Sequence, residues 1–322
     1  MGFSNTLFGS LKILKEAYKI FLRKGKIIPF ITLLFLFVSS ILFLSNFLFI
    51  KPLLIDFTTK LYSLLITIPT PGGIDSTNLV IYMIDIDDLR IFAGREWIFI
   101  VFNSFISIFF VIATIISSSA EYCEKKLGFK DLQVRIIKTW KRTFVTYFYT
   151  TLLRLGYAFF VLSFLLPLVM IFNSKIIITF FSILIFILAI LFGLYLAIVW
   201  TLALIVSTLE EKSGIEALGK AGRLVKGLKV KGFFLKLLFE TLYDVTLILF
   251  MRISKNQSIS ITVVLSLVSL ISVCLVKIFS FVAFTVFYYE SKKTHGEEVE
   301  LQDTNLKYTK VPTMPLIAAE IP

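Results

Sequence analysis

Histidine, cysteine and charged side chains are scarce in this chain. Its 322 residues include one histidine and two cysteines, and 17% of them are charged. A single histidine, His295, excludes any site that needs two imidazoles. Two cysteines, Cys123 and Cys274, exclude a disulfide scaffold and a cysteine-rich metal centre. These shortages argue against most hydrolase and oxidoreductase chemistries, so we expect a non-enzymatic protein with no cofactor and no metal site.

Apolar residues, in contrast, are unusually abundant. Hydrophobic residues make up 57% of the chain and aromatic residues 16%, and the mean hydropathy is +0.91. Soluble domains carry roughly 45–50% apolar residues. The excess is too large for a water-soluble core, and the composition therefore predicts an integral membrane protein.

Six apolar stretches are long enough to cross a bilayer, which takes roughly 20 mostly apolar residues. They predict an all-α polytopic membrane bundle with spans at about 27–50, 97–120, 147–172, 177–205, 232–251 and 260–286. The uncharged run 176–209 is too short for two spans and a turn, so we expect one long helix there. This membrane domain, 27–289, is expected to lie between a cytosolic basic amphipathic segment, 1–26, and a flexible cytosolic tail, 290–322.

Basic residues are distributed unevenly between the two predicted sides of the membrane. Of the 33 lysines and arginines, 23 fall in segments 1–26, 121–142, 210–231 and 290–322. Because cytoplasmic loops carry an excess of Lys and Arg, this bias predicts that both termini are cytosolic. The formal net charge of +12 then reflects topology and attraction to anionic lipid rather than to nucleic acid. We expect a location in the endomembrane system, either the endoplasmic reticulum or the plasma membrane.

Three basic segments show an amphipathic pattern directly before the first, third and fifth predicted spans. In the N-terminal segment the predicted apolar stripe is Leu7, Leu11, Leu14, Tyr18, Phe21 and Leu22. In the third segment, Ser213 and Glu216 are expected to form a capping box that opens a helix. The cations expected to contact lipid headgroups are Lys12, Lys15, Lys19, Arg23, Lys138, Lys141, Arg142, Lys220, Arg223 and Lys226. Such helices lie in the headgroup plane, where they either sense or shape the bilayer or only anchor the topology.

Ionisable residues inside a span are costly unless they are paired or hydrated, so they are candidates for function. Lys236, Glu240 and Asp244 are spaced i, i+4, i+8 and share one face of the fifth predicted span. Arg154 and Lys277, in the third and sixth spans, are the candidate counter-ions of Asp244. Such a group favours a solute or ion pathway. The alternative is that Lys236 and Glu240 belong to the interfacial helix, while Asp244 and Arg154 reach the headgroups.

The two cysteines have different expected roles. Cys123 follows the second predicted span on its cytosolic side, where a cysteine is a candidate for palmitoylation. Cys274 lies within the sixth span and is expected to be a packing residue.

Three stretches near the cytosolic ends of predicted spans carry a family resemblance. They are 140–146 (WKRTFVT), 210–218 with 224–227 (EEKSGIEAL and LVKG), and 287–292 with 296–298 (FYYESK and GEE). They resemble motifs of a plant family of uncharacterised multi-pass transmembrane proteins. More distantly, they are similar to the membrane domain attached to some bacterial glycerophosphodiester phosphodiesterases. The resemblance covers nearly the whole chain and implies a six-span membrane domain without an assigned activity. It does not imply phosphodiesterase activity, which belongs to a separate soluble barrel in those enzymes.

Two functions of different classes follow from the sequence. The favoured one is a non-enzymatic membrane protein that organises or responds to the bilayer through its basic interfacial helices. The alternative is a small-solute or ion transporter that uses the intramembrane carboxylates of the fifth span. An enzyme that acts on lipid fits least, because no nucleophile–base pair or metal-binding cluster is apparent.

Overall fold

A computed structural model describes residues 2–22, 27–67, 86–125, 127–171, 175–255 and 257–297. Within these ranges the chain is all-α. Its eight helices are α1 (Gly2–Leu22), α2 (Ile27–Thr67), α3 (Ile86–Tyr122), α4 (Phe129–Ile171), α5 (Lys175–Leu209), α6 (Gly214–Gly227), α7 (Lys229–Ser254) and α8 (Ile259–Thr294).

Five of these helices are long and apolar enough to cross a membrane, which supports an integral membrane protein. The candidate spans are Ile27–Phe49, Ala93–Tyr122, Phe129–Phe164, Phe181–Leu209 and Ile259–Thr294. The fifth span predicted from the sequence forms the helix α7, but α7 is not among the five. Three charged residues in the interior of α7, Lys236, Glu240 and Asp244, lower its apolar character.

Several helices extend beyond the predicted spans. The prediction of one long helix over 176–209 is confirmed by α5. The helix α2 continues past the predicted span to Thr67, and α3 begins already at Ile86. The helix α8 ends at Thr294, inside the segment predicted as a tail. The remainder of that tail, 298–322, lies outside the described residues.

Alanines lie among the large apolar side chains at the centre of the bundle. Ala203 of α5, Ala221 of α6 and Ala283 of α8 are fully buried in one cluster with Ile115 of α3. Small side chains let helix backbones approach closely, and close packing drives helix association inside a bilayer. The same cluster contains Ile13 of α1, so the N-terminal helix is part of the packed structure.

The first half of α7 packs antiparallel to α8. Near the start of α7, the Lys231 ammonium binds the Glu290 carboxylate of α8 at 2.7 Å. Further along α7, the ring of Phe239 packs edge-on against Phe279, with centroids 5.8 Å apart. Residue numbers of the contacts thus increase along α7 and decrease along α8. At 1.5 Å per residue, α7 is about 39 Å long, which exceeds the roughly 30 Å of a bilayer core.

Part of the apolar stripe predicted for the N-terminal helix lies outside the face of α1 that packs on the bundle. The face of α1 that packs on the bundle contains Ser10, Ile13, Ala17 and Ile20. Of the predicted stripe, Leu11, Tyr18 and Leu22 are more than half exposed. A stripe of apolar residues in sequence does not reveal whether protein or lipid covers it, and α1 has apolar residues on both sides.

The other two basic segments also differ from free interfacial helices. The second is continuous with the third predicted span, because α4 runs unbroken from Phe129 to Ile171. In the third segment, α6 directs Ala217, Ala221 and Val225 into the protein, where all are fully buried. The apolar face of α6 is therefore covered by neighbouring helices.

The capping box predicted for α6 is only partly present. Ser213 is the N-cap residue, but its side chain makes no capping hydrogen bond. Instead the backbone N–H of Gly214 donates to the hydroxyl oxygen of Thr146 on α4, at 2.9 Å. A neighbouring helix thus satisfies one of the backbone donors that have no partner within α6.

Candidate functional site

An open cavity of about 590 Å³ is lined by α3, α4, α5, α7 and α8, and its lining residues Arg154, Tyr243 and Lys277 are exposed. We call it the polar cavity. Thr143 on α4 lines one end of the polar cavity. The hydroxyl of Thr143 lies 3.2 Å from the hydroxyl of Thr208 on α5. The lining of the polar cavity continues along α4 as far as Arg154, about 16 Å farther at 1.5 Å per residue. Ligand-binding pockets typically measure about 300–1,000 Å³, so the polar cavity has the size of a binding site.

Three cations and one carboxylate line the polar cavity: Arg154, Lys236, Lys277 and Glu240. Lys236 and Glu240 form an ion pair at 2.7 Å along α7, as their i, i+4 spacing predicts. The ammonium of Lys277 donates to the hydroxyl oxygen of Ser107 on α3 at 2.6 Å. The guanidinium of Arg154 lies 5.6 Å from the ring centroid of Trp200 on α5.

The structure brings together three of the four residues assigned to a transport pathway. Glu240, Arg154 and Lys277 line the polar cavity, whereas Asp244 is not among its lining residues and is exposed. The expected pairing of Asp244 with Arg154 or Lys277 is therefore not supported by their placement. Because eight residues advance a helix by about 80° more than two turns, Asp244 is offset from Lys236 around the axis of α7.

A second cluster of charges lies where α5, α6 and the end of α8 meet. We call it the Glu210 network; it consists of Glu210, Lys220, Tyr288, Lys292 and Glu297. The Glu210 carboxylate binds the Lys220 ammonium at 2.8 Å and the Lys292 ammonium at 3.4 Å. It also accepts a hydrogen bond from the Tyr288 hydroxyl at 2.6 Å. Lys220 additionally binds Glu297 at 2.7 Å, which ties the chain after α8 to α6.

The Glu210 network keeps its carboxylate and its lysine charged. Burial alone opposes ionisation of Glu210, but hydrogen bonds from Lys220 and Tyr288 and the charge of Lys292 outweigh it and lower the pKa of this carboxyl. Burial likewise opposes the charge of Lys220, while its bonds to Glu210 and Glu297 raise the pKa of its ammonium. The two groups therefore form a stable ion pair at neutral pH.

The Glu210 network was not anticipated from the sequence, although all its residues except Lys220 lie in the stretches that carry the family resemblance. Glu210, Lys220 and Tyr288 lie far apart in the chain, and only the helix packing places them in contact. The available signal was that the resembling stretches all lie next to the predicted cytosolic ends of spans. The hydroxyl of Ser291, which donates to the Leu224 carbonyl oxygen, joins two of these stretches directly.

Most of the cations expected at lipid headgroups are on the surface. Lys12, Lys15 and Lys19 are exposed on α1, Lys138 and Lys141 on α4, and Arg223 and Lys226 on α6, whereas Arg142 is half-buried. Lys220 differs because its ammonium is held in the Glu210 network. Arg23 lies outside the described residues.

Cys123 is half-buried just after α3, and Cys274 is buried in α8. Burial raises the pKa of the Cys123 thiol, which disfavours the thiolate. Palmitoylation of Cys123 stays a prediction. In the part of the chain that the structure describes, no three His, Cys, Asp or Glu side chains are grouped to hold a metal ion.

Comparison with known proteins places the chain in a family without adding an activity. A family model described as "Domain of unknown function (DUF8558)" matches residues 5–309. No curated protein and no solved structure matches the chain. The resemblance to plant transmembrane proteins and to the phosphodiesterase-linked membrane domain stays a prediction.

Proposed function

We propose that this chain, which belongs to the DUF8558 family of domains of unknown function, is a non-enzymatic membrane protein that binds the anionic surface of the cytoplasmic leaflet. Its cationic face would organise or respond to the bilayer, in the endoplasmic reticulum or the plasma membrane. One observation carries this proposal, namely the placement of α1 relative to the bundle.

The helix α1 has three distinct faces. One face packs on the bundle through Ile13 and Ala17. On the opposite side Leu11, Tyr18 and Leu22 are exposed, and Lys12, Lys15 and Lys19 lie beside them. An apolar stripe flanked by lysines is the pattern of a helix that lies in the membrane interface. Each lysine near an anionic surface contributes about 1 kcal/mol.

A fluorescent probe on α1 tests this proposal. Leu11→Cys, in a background with Cys123→Ala and Cys274→Ala, is labelled with an environment-sensitive fluorophore and reconstituted in vesicles. We expect a blue-shifted emission in vesicles containing phosphatidylglycerol, compared with pure phosphatidylcholine. Lys12→Glu with Lys19→Glu should abolish that difference, because it reverses the attraction to the leaflet.

The matched control is Lys255→Glu, which reverses an exposed charge just after the C-terminal end of α7. It should leave the difference in emission intact. Equal emission in both vesicle types for the otherwise unmodified chain would reject the proposed contact between α1 and anionic lipid.

Six spans with cytosolic termini are part of the same proposal. The antiparallel course of α7 against α8 supports a crossing by α7, because α8 is apolar enough to span a membrane. The packing of Ile13 in one cluster with Tyr288 and Tyr289 supports a common side for α1 and the end of α8. An even number of spans is required if these two segments share one side.

Movement of a small solute or ion is a second candidate, favoured by the polar cavity. Because Glu240 lines the polar cavity and Asp244 does not, the carboxylate involved would be Glu240. In a proteoliposome flux assay, Glu240→Gln should then abolish transport while Asp244→Asn has little effect. Transport that survives Glu240→Gln would reject a role for this carboxylate.

A further inference from the structure

The polar cavity carries an excess of positive charge inside the membrane domain. Its one lining carboxylate, Glu240, is already bound to Lys236 at 2.7 Å. The other two lining cations are Arg154 and Lys277, whose nearest described partners are the neutral Trp200 ring and the neutral Ser107 hydroxyl. No second carboxylate lines the cavity among the described residues.

Two cations without a matching anion are unfavourable in a region of low dielectric constant. A charged side chain within a bilayer costs several kcal/mol unless it is paired or hydrated. An oxyanion that contacts both groups would remove this cost, and Arg in particular binds carboxylate and phosphate oxygens in a two-pronged geometry. A cation would instead meet a net repulsion, which argues against a cation pathway through this cavity.

We propose that the polar cavity binds the oxyanion of a phosphate-bearing molecule between Arg154 and Lys277. The remaining lining is suited to an organic ligand, because it includes the aromatic side chains of Trp200, Phe239 and Tyr243. The volume of about 590 Å³ is larger than a bare phosphate ion needs. The phosphate can belong to an anionic phospholipid or to a small soluble ester, and the two sources share the same recognition. This proposal goes beyond the surface contacts of α1 and does not depend on them.

Native mass spectrometry and thermal unfolding of the full-length protein in neutral detergent test the proposal. The lipid probe is dioleoyl phosphatidic acid, with dioleoyl phosphatidylcholine as the uncharged reference, and the soluble probe is glycerol 3-phosphate. We expect saturable binding of at least one phosphate probe. Binding of phosphatidic acid alone identifies a phospholipid, whereas binding of glycerol 3-phosphate as well shows that the phosphate ester is sufficient.

The variant Arg154→Gln with Lys277→Gln should bind the phosphate probe at least tenfold more weakly, because it removes both charges at the proposed contact. The matched control, Arg252→Gln with Lys255→Gln, removes two exposed charges at the far end of α7 and should bind as the unmodified protein does. Arg154→Lys with Lys277→Arg keeps both charges and should bind within about threefold of it.

Three results would overturn the proposal: no binding of either probe, unchanged binding by the double glutamine variant, or equal weakening in the control. A photoactivatable phosphatidic acid on the unmodified protein gives a readout that does not depend on folding of a variant. Cross-links should map to peptides that line the polar cavity, and cross-links confined to other surfaces would also overturn the proposal. The variant Lys12→Glu with Lys19→Glu should keep this binding, so failure of the α1 contact and failure of the cavity site are distinguishable.

Discussion

Glu210 illustrates how one side chain can join three helices at the edge of a membrane. It follows the last residue of α5, where helix carbonyl groups have no partners within the helix. Its carboxylate meets Lys220 of α6 and both Lys292 and Tyr288 of α8. Charge-assisted hydrogen bonds of this kind are roughly twice as strong as neutral ones. Glu210 therefore connects elements that the chain itself joins only through loops and other helices.

Glu210→Gln should destabilise the protein by about 2 kcal/mol, because it leaves the Lys220 and Lys292 charges without their main partner. The measurement is the midpoint of thermal unfolding in detergent. Glu211→Gln is the matched control, since Glu211 is exposed and adjacent. Equal midpoints for the two variants would contradict the role given to Glu210.

The unmodified protein and the Glu210→Gln variant should respond differently to acid. The pKa of Glu210 is lowered in the folded protein, so its contribution is present above the unfolded-state pKa of about 4.3 and is lost as pH falls through the folded value. The stability difference between the unmodified protein and Glu210→Gln should therefore be full at pH 6–7 and decrease below about pH 4. A difference that is constant from pH 7 to pH 3 would show that the charge of Glu210 is not what stabilises the network.

At the scale of elements, α6 depends on its neighbours for its position. It begins at Gly214, whose φ of +55° lies in the left-handed region. A Cβ added there would lie 3.2 Å from ring carbons of Tyr149 on α4. Its first N–H is bound by Thr146, and its apolar face is covered by other helices. The backbone conformation of Gly214 and its packing against α4 therefore together fix the residue at which α6 begins.

Gly214→Ala should lower the thermal midpoint, because a left-handed backbone costs an L-residue about 1–2 kcal/mol and Tyr149 must also move. Gly219→Ala on the same helix is the matched control: a Cβ there meets no atom within 4 Å. Alanine is the better helix former by roughly 1 kcal/mol, so this control should be neutral or stabilising. A loss of stability in both variants would show that α6 tolerates no added methyl group and would remove the special role of Gly214.

The elements also show which features were predictable from sequence. The all-α class, the membrane character and the long helix α5 follow from composition and run length alone. The face of α1 that packs on the bundle was not predicted, because lipid and protein both select apolar side chains, so Leu11 and Ile13 look equivalent in sequence. The Glu210 network and the capping of Gly214 by Thr146 depend on contacts between distant segments, and no local pattern encodes them. The grouping of Glu240, Arg154 and Lys277 was anticipated, whereas the inclusion of Asp244 was not supported.

At the scale of the whole molecule, α1 and the end of α8 share one cluster, and this geometry constrains topology. With six spans the two termini lie on one side, whereas five spans would separate them. Protease protection in microsomes, with one epitope tag at each end, distinguishes the two arrangements. We expect both tags to be digested from the cytosolic side without membrane disruption. Protection of only the C-terminal tag would reject a crossing by α7.

The antiparallel pairing of α7 with α8 has a consequence for biogenesis. At the middle of a span, translocon insertion disfavours each Lys or Asp residue by about 2.5–3.5 kcal/mol. Since α7 carries Lys236, Glu240 and Asp244, it is a poor substrate for insertion on its own. The strongly apolar α8 follows it after a short turn, so the two helices are expected to enter the lipid as a single hairpin during synthesis. A nascent chain that stops before α8 should then leave α7 on the cytosolic side of the membrane. There it would be exposed to quality-control proteases.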